Sequence, residues 1–385
     1  MKKAWMGIAV LIAIALAVFG FGPALVENRM NRVRTSGSPV SDRARQLHRR
    51  LIIADLHADT LLWQRDLLEK NSRGQVDIPR LIEGNVTLQA FTVVTRAPRG
   101  LNMVRNTDES DLVLPLILVQ GWPIGTWTSA KQRALYQAHK FARAASTSSG
   151  RLVWIKSAAD LGAYLERRRH EPDLTAGFLG IEGAQALDGD LRNLQELFDA
   201  GFRMMSPTHF TDNTFAGSAT GSEKLGLTPA GRTLIKEMEA RRMIVDLAHA
   251  SSQTIADVLT IATRPVLVSH TGVRATCDSN RNLTDEQIRG IAKTGGLVGI
   301  AYFEAAVCGT DSAAIVRAIR HVRDVVGVDH VALGSDFDGA VRVPFDASGL
   351  VLITEELLNA GFNESEIAMI MGANTLRFLA TNLPF

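Results

Sequence analysis

The stretch Leu51-Ile-Ile-Ala-Asp-Leu-His57-Ala-Asp59 joins a short, mostly apolar run to a histidine and an aspartate. Seven further runs of strand length follow along the chain, and most of them end near a histidine or an acidic residue. Strands buried on both faces read as continuous apolar runs rather than as alternating patterns. The eight predicted strands are 51–56, 86–93, 177–181, 202–205, 243–247, 266–269, 297–301 and 331–334.

The segments between these runs look like amphipathic helices. Capping-box pairs precede two of them, Thr284 with Gln287 and Asn363 with Glu366. Alternating strands and helices predict parallel βαβ units, and eight strands fit a closed (β/α)₈ barrel of the TIM type. A doubly wound open sheet is the alternative, but no glycine-rich phosphate loop follows the first strand, which disfavours its nucleotide-binding form.

Composition is that of a globular protein with a sizeable core. The chain has 385 residues, of which 46% are hydrophobic and 21% charged, and its formal net charge is +2. This balance gives no reason to expect a polyanionic partner, so nucleic acid binding is disfavoured. The basic stretch that begins at Arg29 lacks interleaved aromatic residues and contains Ser, Gly and Pro, which predicts a solvated tether over 27–45.

Residues 4–26 carry no charge and follow Lys2 and Lys3. Such a run is long enough to cross a bilayer core of ~30 Å as a helix. No convincing cleavage site follows it, so an uncleaved signal anchor is favoured over a cleaved secretory signal. We therefore expect a membrane anchor over 1–26 and a catalytic barrel over 46–385 on the periplasmic or extracellular side.

Side chains that suit metal chemistry follow the predicted strands. In a parallel barrel, the residues after each strand project onto one C-terminal rim, where such enzymes place their chemistry. A lone histidine at this rim is more often a hydrogen-bond partner than a ligand, whereas the cooperative placement of the whole set predicts a site. The set is His57, Asp59, Glu182, His209, His249, His270 and Asp336.

The residue types and spacing predict a site for two divalent ions, zinc or a similar cation. In His57-Ala-Asp59, two ligands lie on the same side of the chain, and imidazole and carboxylate groups suit zinc. Glu182 is central enough to bridge two ions, and His249 and His270 can complete the second site. Two ions that share a hydroxide would supply a nucleophile at neutral pH and polarise a carbonyl group.

With these residues in these places, the chain resembles the membrane dipeptidase (renal dipeptidase) family of metallopeptidases, within the wider amidohydrolase-like barrels. The resemblance covers about 50–380 and lies in ordered short motifs. These include Asp-Leu-His57-Ala-Asp59, Gly-Ile-Glu182-Gly-Ala, Pro-Thr-His209-Phe-Thr-Asp-Asn, Val-Asp-Leu-Ala-His249-Ala-Ser, Pro-Val-Leu-Val-Ser-His270, Asn-Arg281-Asn and Gly-Ser-Asp336-Phe-Asp-Gly. The regions 94–174 and 303–306, where substrate side chains would be sorted, match poorly.

The resemblance implies a role for each site residue. His57 and Asp59 would bind one zinc ion and His249 and His270 the other, with Glu182 as the bridge. His209 would donate a hydrogen bond to the carbonyl oxygen as negative charge develops. Arg281 would hold the free carboxylate of a dipeptide, although it could instead cap or pair with the helix near Thr284. Asp336 would transfer the proton from the water to the leaving amine.

The two cysteines, Cys277 and Cys308, are too few for a zinc ribbon. An exported domain would permit a disulfide between them, and two buried thiols are the alternative. The resemblance favours the disulfide, because mammalian members of the family bridge cysteines at about these places.

The predicted activity is zinc-dependent hydrolysis of dipeptides, including those with a C-terminal D-residue. A related two-metal amidohydrolase that acts on a lactone, a cyclic amide or another non-peptide substrate is the alternative, and it would not need a carboxylate clamp at Arg281. An inactive binding protein is disfavoured because every ligand position is filled. A homodimer is a further expectation.

Overall fold

The computed structural model describes residues 5–6, 19–34 and 39–385. It is an α/β fold in which a curled, parallel sheet lies inside a layer of helices. The strands are β1 (Arg32–Val33), β2 (Ile53–Ala58), β3 (Val86–Val94), β4 (Leu152–Trp154), β5 (Thr175–Glu182), β6 (Phe202–Met205), β7 (Ile244–Val245), β8 (Leu267–Thr271), β9 (Leu297–Ile300), β10 (Val331–Leu333) and β11 (Arg342–Val343).

Eight of these strands form the curled sheet in the order β7-β6-β5-β3-β2-β10-β9-β8. An isolated parallel bridge between Asp246 and Leu267 joins the two end strands, and the Leu247 N–H donates to the Leu267 carbonyl at 2.7 Å. The arrangement is consistent with a TIM-type barrel. All eight strands predicted from the sequence are present. Strand β4, which pairs with the N-terminal end of β5, was not predicted.

The helices lie mostly between successive strands. They are α1 (Asp42–His48), α2 (Ile78–Glu83), α3 (Val113–Val119), α4 (Ala130–Thr147), α5 (Ala158–Arg168), α6 (Asn193–Asp199), α7 (Pro229–Ala240), α8 (Ser252–Ile261), α9 (Asp285–Lys293), α10 (Glu304–Val307), α11 (Ser312–Val326), α12 (Val351–Asn359), α13 (Glu364–Ala368) and α14 (Asn374–Asn382). The capping boxes at Thr284 and Asn363 are both formed.

Alternation along the strands divides the core into two layers. In β5, Ala176 and Phe178 face the interior of the curled sheet, while Leu179 and Ile181 pack towards the surrounding helices. Glu182 follows in the same alternation as Ala176 and Phe178. The strand therefore delivers this carboxylate to the end of the sheet interior.

The C-terminal helical region is bent where it meets the start of β2. A π-helical turn, Met369–Ala373, joins α13 to α14, and Gly372 lies within it. A Cβ atom on Gly372 would lie 2.6 Å from the Ile52 carbonyl oxygen, so no larger residue fits without movement. The sequence predicted one continuous helix here, because periodicity does not reveal this close approach.

The segment before the barrel packs against it, which corrects the prediction of a solvated tether over 27–45. Residues 19–30 are helical, and Glu27 is buried with its carboxylate 2.5 Å from Arg65 Nε and 2.8 Å from Arg73 Nε. Strand β1 then pairs in parallel with β11. The basic composition obscured this contact, because Glu27, one of only two acids in 27–45, takes part in a buried ion pair.

Among the residues that the structure describes, none of the helices has the length and apolarity needed to cross a bilayer. Most of the predicted anchor, 1–26, lies outside the described residues.

We expect Glu27→Gln to lower the free energy of unfolding by about 2–3 kcal/mol. Loss of one partner leaves Arg65 buried with less compensation, and breaking a buried pair typically costs about 3–5 kcal/mol; Asp338 still contacts this guanidinium, which reduces the loss. Urea denaturation of the full chain in detergent measures the change.

Glu171→Gln is the matched control, since Glu171 pairs with Arg167 at 2.7 Å on the exposed surface. Its loss should change the free energy of unfolding much less, because exposed ion pairs are screened by solvent and contribute little. Equal effects of the two substitutions would show that residues 19–34 do not stabilise the barrel.

Candidate active site

The ends of the parallel strands bring the predicted site residues into one buried cluster. Three overlapping groups have ligand atoms within 4.8 Å of one another, and Glu182 belongs to two of them. The remaining histidines of the chain lie elsewhere; His48, for example, is buried between Thr354 and Gly84. The groups are His57–Glu182–His270, Glu182–His209–His249 and His57–Asp59–Asp336.

Glu182 is the centre of the cluster. Its Oε1 lies 3.1 Å from His249 Nε2, 3.4 Å from His57 Nε2 and 3.5 Å from His270 Nε2. Its Oε2 lies 2.9 Å from His209 Nε2. One carboxylate therefore contacts four imidazoles that come from four different strands.

Two further carboxylates lie on the His57 side of Glu182. His57 Nε2 is 3.5 Å from Asp59 Oδ1 and 3.7 Å from Asp336 Oδ1. The Thr92 hydroxyl donates to Asp59 Oδ1 at 2.7 Å. This side of the site therefore gathers three carboxylates around one imidazole.

Two imidazoles and a guanidinium lie on the other side. The Nε2 atoms of His249 and His270 are 3.0 Å apart. Arg281 Nη2 donates to His270 Nε2 at 2.7 Å and to the His270 carbonyl oxygen at 3.0 Å. A metal ion on His270 Nε2 would require Arg281 to release that nitrogen, which would free its guanidinium for a substrate.

The pKa shifts reflect burial opposed by close charges. Burial alone would raise the pKa of Glu182, but His209, His57 and His249 hold that pKa well below its usual range. Burial lowers the pKa of His249 and of His270 well below the usual value, and Arg281 adds to this effect. Both imidazoles are therefore neutral, which is the form that binds metal.

Two groups in this part of the site have raised pKa values. Burial lowers the pKa of His57, but Glu182, Asp59 and Asp336 outweigh it and raise that pKa to about 10. Burial, reinforced by Asp59 and Glu182, raises the pKa of Asp336 well above its usual value. A proton and a divalent cation would compete for the same lone pair on His57.

The donor set fits divalent metal ions. His57 Nε2 and Glu182 Oε1 are buried and have no hydrogen-bond partner within the described part of the chain. Such atoms are rarely left unpaired in a folded protein. Ligation by a cation would satisfy both atoms and would neutralise the excess carboxylate charge.

The backbone is strained at two site residues. His249 and Asp336 have φ values of 64° and 62°, in the left-handed region that non-glycine residues rarely adopt. Strain of this kind costs about 1–3 kcal/mol per residue and clusters at functional sites. Here it accompanies the placement of His249 beside Glu182 and of Asp336 beside His57.

Further residues, which were not predicted from the sequence, orient the histidines of the cluster. Ser269 Oγ lies 3.1 Å from His57 Nδ1 and 3.0 Å from His270 Nδ1, so one hydroxyl holds both rings. Asp246 accepts from the Ser269 N–H at 2.8 Å. Such partners fix the direction of the metal-binding nitrogen. The available signal was an aspartate inside an apolar strand run.

Asp55, which lies within β2, also supports the site by accepting hydrogen bonds from neighbouring backbone groups. It is fully buried and accepts hydrogen bonds from the His57 N–H at 3.0 Å and the Ser335 N–H at 2.9 Å. Burial raises its pKa, although these hydrogen bonds oppose the rise. Asp338, which the sequence left outside the site, braces the same region through Thr60 and the backbone N–H of Gln75.

A cavity of about 570 Å³ opens from the cluster. Its floor is polar and includes Asp59, Glu182, His209, His249, His270, Arg281 and Asp336. The rest of the lining is almost wholly apolar and comes from the loops after β2 and β3 and from residues 22–30. Trp122 is buried behind this lining, in a cluster with Trp63 and Val113.

The sequence model of the membrane dipeptidase family, peptidase family M19, matches residues 41–382. The chain belongs to this family. A dipeptidase of Aspergillus oryzae, aclJ, is 28% identical over 401 residues, which cover 97% of this chain and 86% of that protein. An uncharacterized protein of Klebsiella pneumoniae, from the pqqA 5′ region, is 35% identical over 248 residues, or 60% of this chain and 89% of its own length.

Solved structures share the fold of this chain. A metallopeptidase from Rhodobacter sphaeroides, bound to a phosphinate mimic of L-Ala-D-Ala, aligns with a TM-score of 0.69 at 23% identity, over 86% of this chain and 99% of that chain. The probable dipeptidase PvdM from Pseudomonas aeruginosa aligns with a TM-score of 0.74 at 20% identity, over 88% and 97% of the two chains.

A disulfide lies beside the loop that carries Arg281. The structure joins Cys277 and Cys308, which are 31 positions apart in the chain. In the loop that carries Arg281, the Asn282 side chain donates hydrogen bonds to the carbonyl oxygens of Cys277 at 2.7 Å and Ala306 at 2.8 Å. The disulfide therefore connects the Arg281 loop to the segment after β9.

We expect the double variant Cys277→Ser, Cys308→Ser to lose about 3–4 kcal/mol of stability, the chain-entropy value for a loop of this size. Its KM for dipeptides should also rise, because Arg281 lies in the loosened loop. Urea denaturation and steady-state kinetics measure these effects.

Reduction with dithiothreitol provides the control. It should reproduce both effects in the wild type and leave the double variant unchanged. Two free thiols in unreduced, exported protein would contradict the bridge.

Proposed function

We propose that this membrane dipeptidase hydrolyses dipeptides, including those with a C-terminal D-residue, with the help of two zinc ions held around Glu182. The observation that carries the proposal is the position of one buried carboxylate among His57, His249 and His270, with Glu182 Oε1 and His57 Nε2 unpaired among the described residues. We assign His57 and Asp59 to one ion, and His249 and His270 to the other. Glu182 would bridge them.

Bound metal would supply an activated water molecule and polarise the scissile carbonyl group. The protein contributes the orientation of its ligands. Ser269 fixes the rings of His57 and His270, so their Nε2 atoms point at Glu182. The proposed centre is therefore preorganised by hydrogen bonds outside the ligand set.

His209 is proposed as the donor to the carbonyl oxygen. Its Nε2 lies 2.9 Å from Glu182 Oε2, and its ring packs against Phe210 with centroids 3.7 Å apart. It can turn its N–H from Glu182 to an oxygen that gains negative charge. A donor placed in this way stabilises the negatively charged oxygen of the tetrahedral intermediate more than it stabilises the carbonyl oxygen of the bound substrate.

Arg281 is proposed to bind the substrate carboxylate. Its planar guanidinium can donate two parallel hydrogen bonds to a carboxylate. The group lines the cavity, and its hydrogen bond to the His270 carbonyl oxygen can persist when a metal ion occupies His270 Nε2. It would anchor the C-terminal end of a dipeptide both before and during the reaction.

Asp336 is proposed to move the proton. It lines the cavity, and its raised pKa results from burial beside Asp59 and Glu182. A carboxylate at this place can accept a proton from the attacking water and deliver it to the leaving amine.

The location of the protein also remains a proposal. Residues 22–30 contact the catalytic part, which leaves the uncharged residues 4–21 as the bilayer-crossing segment, within the ~17–25 residues that such helices need. We propose a membrane-anchored protein with its barrel, over 46–385, exported; secretion after cleavage is the alternative. A disulfide suits an oxidising compartment. Homodimer formation stays a prediction.

The experiment that tests the function uses zinc-loaded protein with L-Ala-L-Ala and L-Ala-D-Ala. Arg281→Ala should raise KM more than it lowers kcat, since the clamp acts in both ground and transition states. His209→Ala should lower kcat by ~10² or more, the usual cost of one oxyanion donor. Asp336→Ala should lower kcat similarly and remove the acidic limb of the pH–rate profile.

Arg274→Ala and His321→Ala serve as controls, because these residues form ion pairs with Asp278 and Asp285 away from the cluster. Both should retain wild-type kinetics. All variants should keep their metal, since none removes a proposed ligand. Near-normal kcat in metal-loaded Asp336→Ala would refute its assigned role.

A further inference from the structure

The cavity above the proposed metal centre is much larger and more apolar on one side than a small dipeptide requires. Its volume of about 570 Å³ lies in the range of pockets for drug-sized ligands, about 300–1,000 Å³. Its apolar wall includes Leu62, Trp63, Val113, Leu116, Val26 and Met30. These residues come from three separate segments of the chain.

The topology places this wall across the sheet from Arg281. In the ring of eight strands, β3 and β8 are four positions apart, which is the greatest separation that eight strands allow. Arg281 follows β8, whereas Val113 and Leu116 follow β3. A substrate whose carboxylate is held by Arg281 therefore directs its other end, the acyl side of the scissile bond, into the apolar wall.

The apolar wall itself carries no charged side chain among the residues described. The carboxylates that line the cavity, in the part of the chain that the structure describes, are Asp59, Glu182 and Asp336. All three already have roles in metal binding or proton transfer in the proposed mechanism. A charge placed against this wall would be buried without a partner, which is costly, so a neutral alkyl chain fits it, whereas the α-amino group of a dipeptide would lie next to the scissile bond, at the polar floor.

One part of the wall lies outside the region that the family model matches. That match begins at residue 41, whereas Gly22, Pro23, Val26 and Met30 all contribute to the lining. This wall is fixed in place by the buried pair of Glu27 with Arg65. The apolar residues 4–21 precede it directly, so a membrane anchor would hold the cavity beside a source of amphiphilic molecules.

We propose that the cavity binds a long acyl chain, and that N-acyl amino acids are substrates of this site in addition to dipeptides. The inference rests on the proposed hydrolytic function. Water would add across the amide bond: the C–N bond breaks, the acyl carbon gains the hydroxyl group as a fatty acid, and the nitrogen gains the proton as a free amino acid. Arg281 would hold the carboxylate of the amino-acid part.

The test is a series of N-acyl-L-alanines from acetyl to decanoyl, assayed with the zinc-loaded full chain below their micelle concentrations. Complete burial of one methylene group is worth about fourfold in binding. We expect kcat/KM to rise at least about a hundredfold from acetyl to octanoyl, since burial of the chain is only partial. 10-Aminodecanoyl-L-alanine, which places an ammonium group at the far end of the chain, should be a poorer substrate than decanoyl-L-alanine.

Neighbouring residues provide matched variants. Val26 and Leu112 line the cavity with 41% and 39% of their surfaces exposed, whereas Leu25 and Leu118, exposed by 67% and 36%, do not line it. Val26→Gln and Leu112→Gln should each lower the octanoyl-to-acetyl ratio of kcat/KM by about tenfold. Leu25→Gln and Leu118→Gln should leave that ratio unchanged.

The outcomes separate the two proposals. If L-Ala-L-Ala is hydrolysed but kcat/KM does not depend on chain length, or if the aminated substrate is the better one, the acyl-chain site is wrong and the dipeptidase function stands. Equal ratios in the lining and control variants also overturn it. If no dipeptide and no N-acyl amino acid is hydrolysed by metal-loaded protein, the proposed function itself fails.

Discussion

The burial of the Glu182 carboxylate is the constraint on which the rest of the site depends. An ionised carboxylate in a protein interior costs several kcal/mol unless charges or hydrogen bonds compensate it. Here four imidazoles converge on its two oxygens, and each comes from the end of a different strand. Only a curled parallel sheet brings these strand ends to one place, so the fold and the site have the same origin.

The N-terminal segment, residues 19–30, helps to form the cavity in which the substrate would bind. Glu27 holds residues 19–30 against Arg65, and Arg65 in turn contacts Asp338 in the loop that carries Asp336. The same segment supplies an apolar wall of the cavity. A region that precedes the family match therefore shapes the space above the catalytic residues, which is where members of one family can differ in substrate.

Much of the fold and site could be predicted from the sequence because their signals are local. All eight sheet strands read as apolar runs, and the histidines and acids that follow them meet as expected. The supporting residues were missed because Ser269, Asp246 and Asp55 act through contacts between strands that are distant in sequence. The packing of Glu27 was hidden for the same reason, since its partners lie 38 and 46 positions away.

The central claim is that the cluster around Glu182 holds two metal ions. The most direct measurement is anomalous X-ray diffraction at the zinc edge from crystals of the zinc-loaded protein. We expect two peaks, one on each side of the Glu182 carboxylate: one beside His57 and Asp59, and the other beside His249 and His270. A single peak, or none at this cluster, would contradict it.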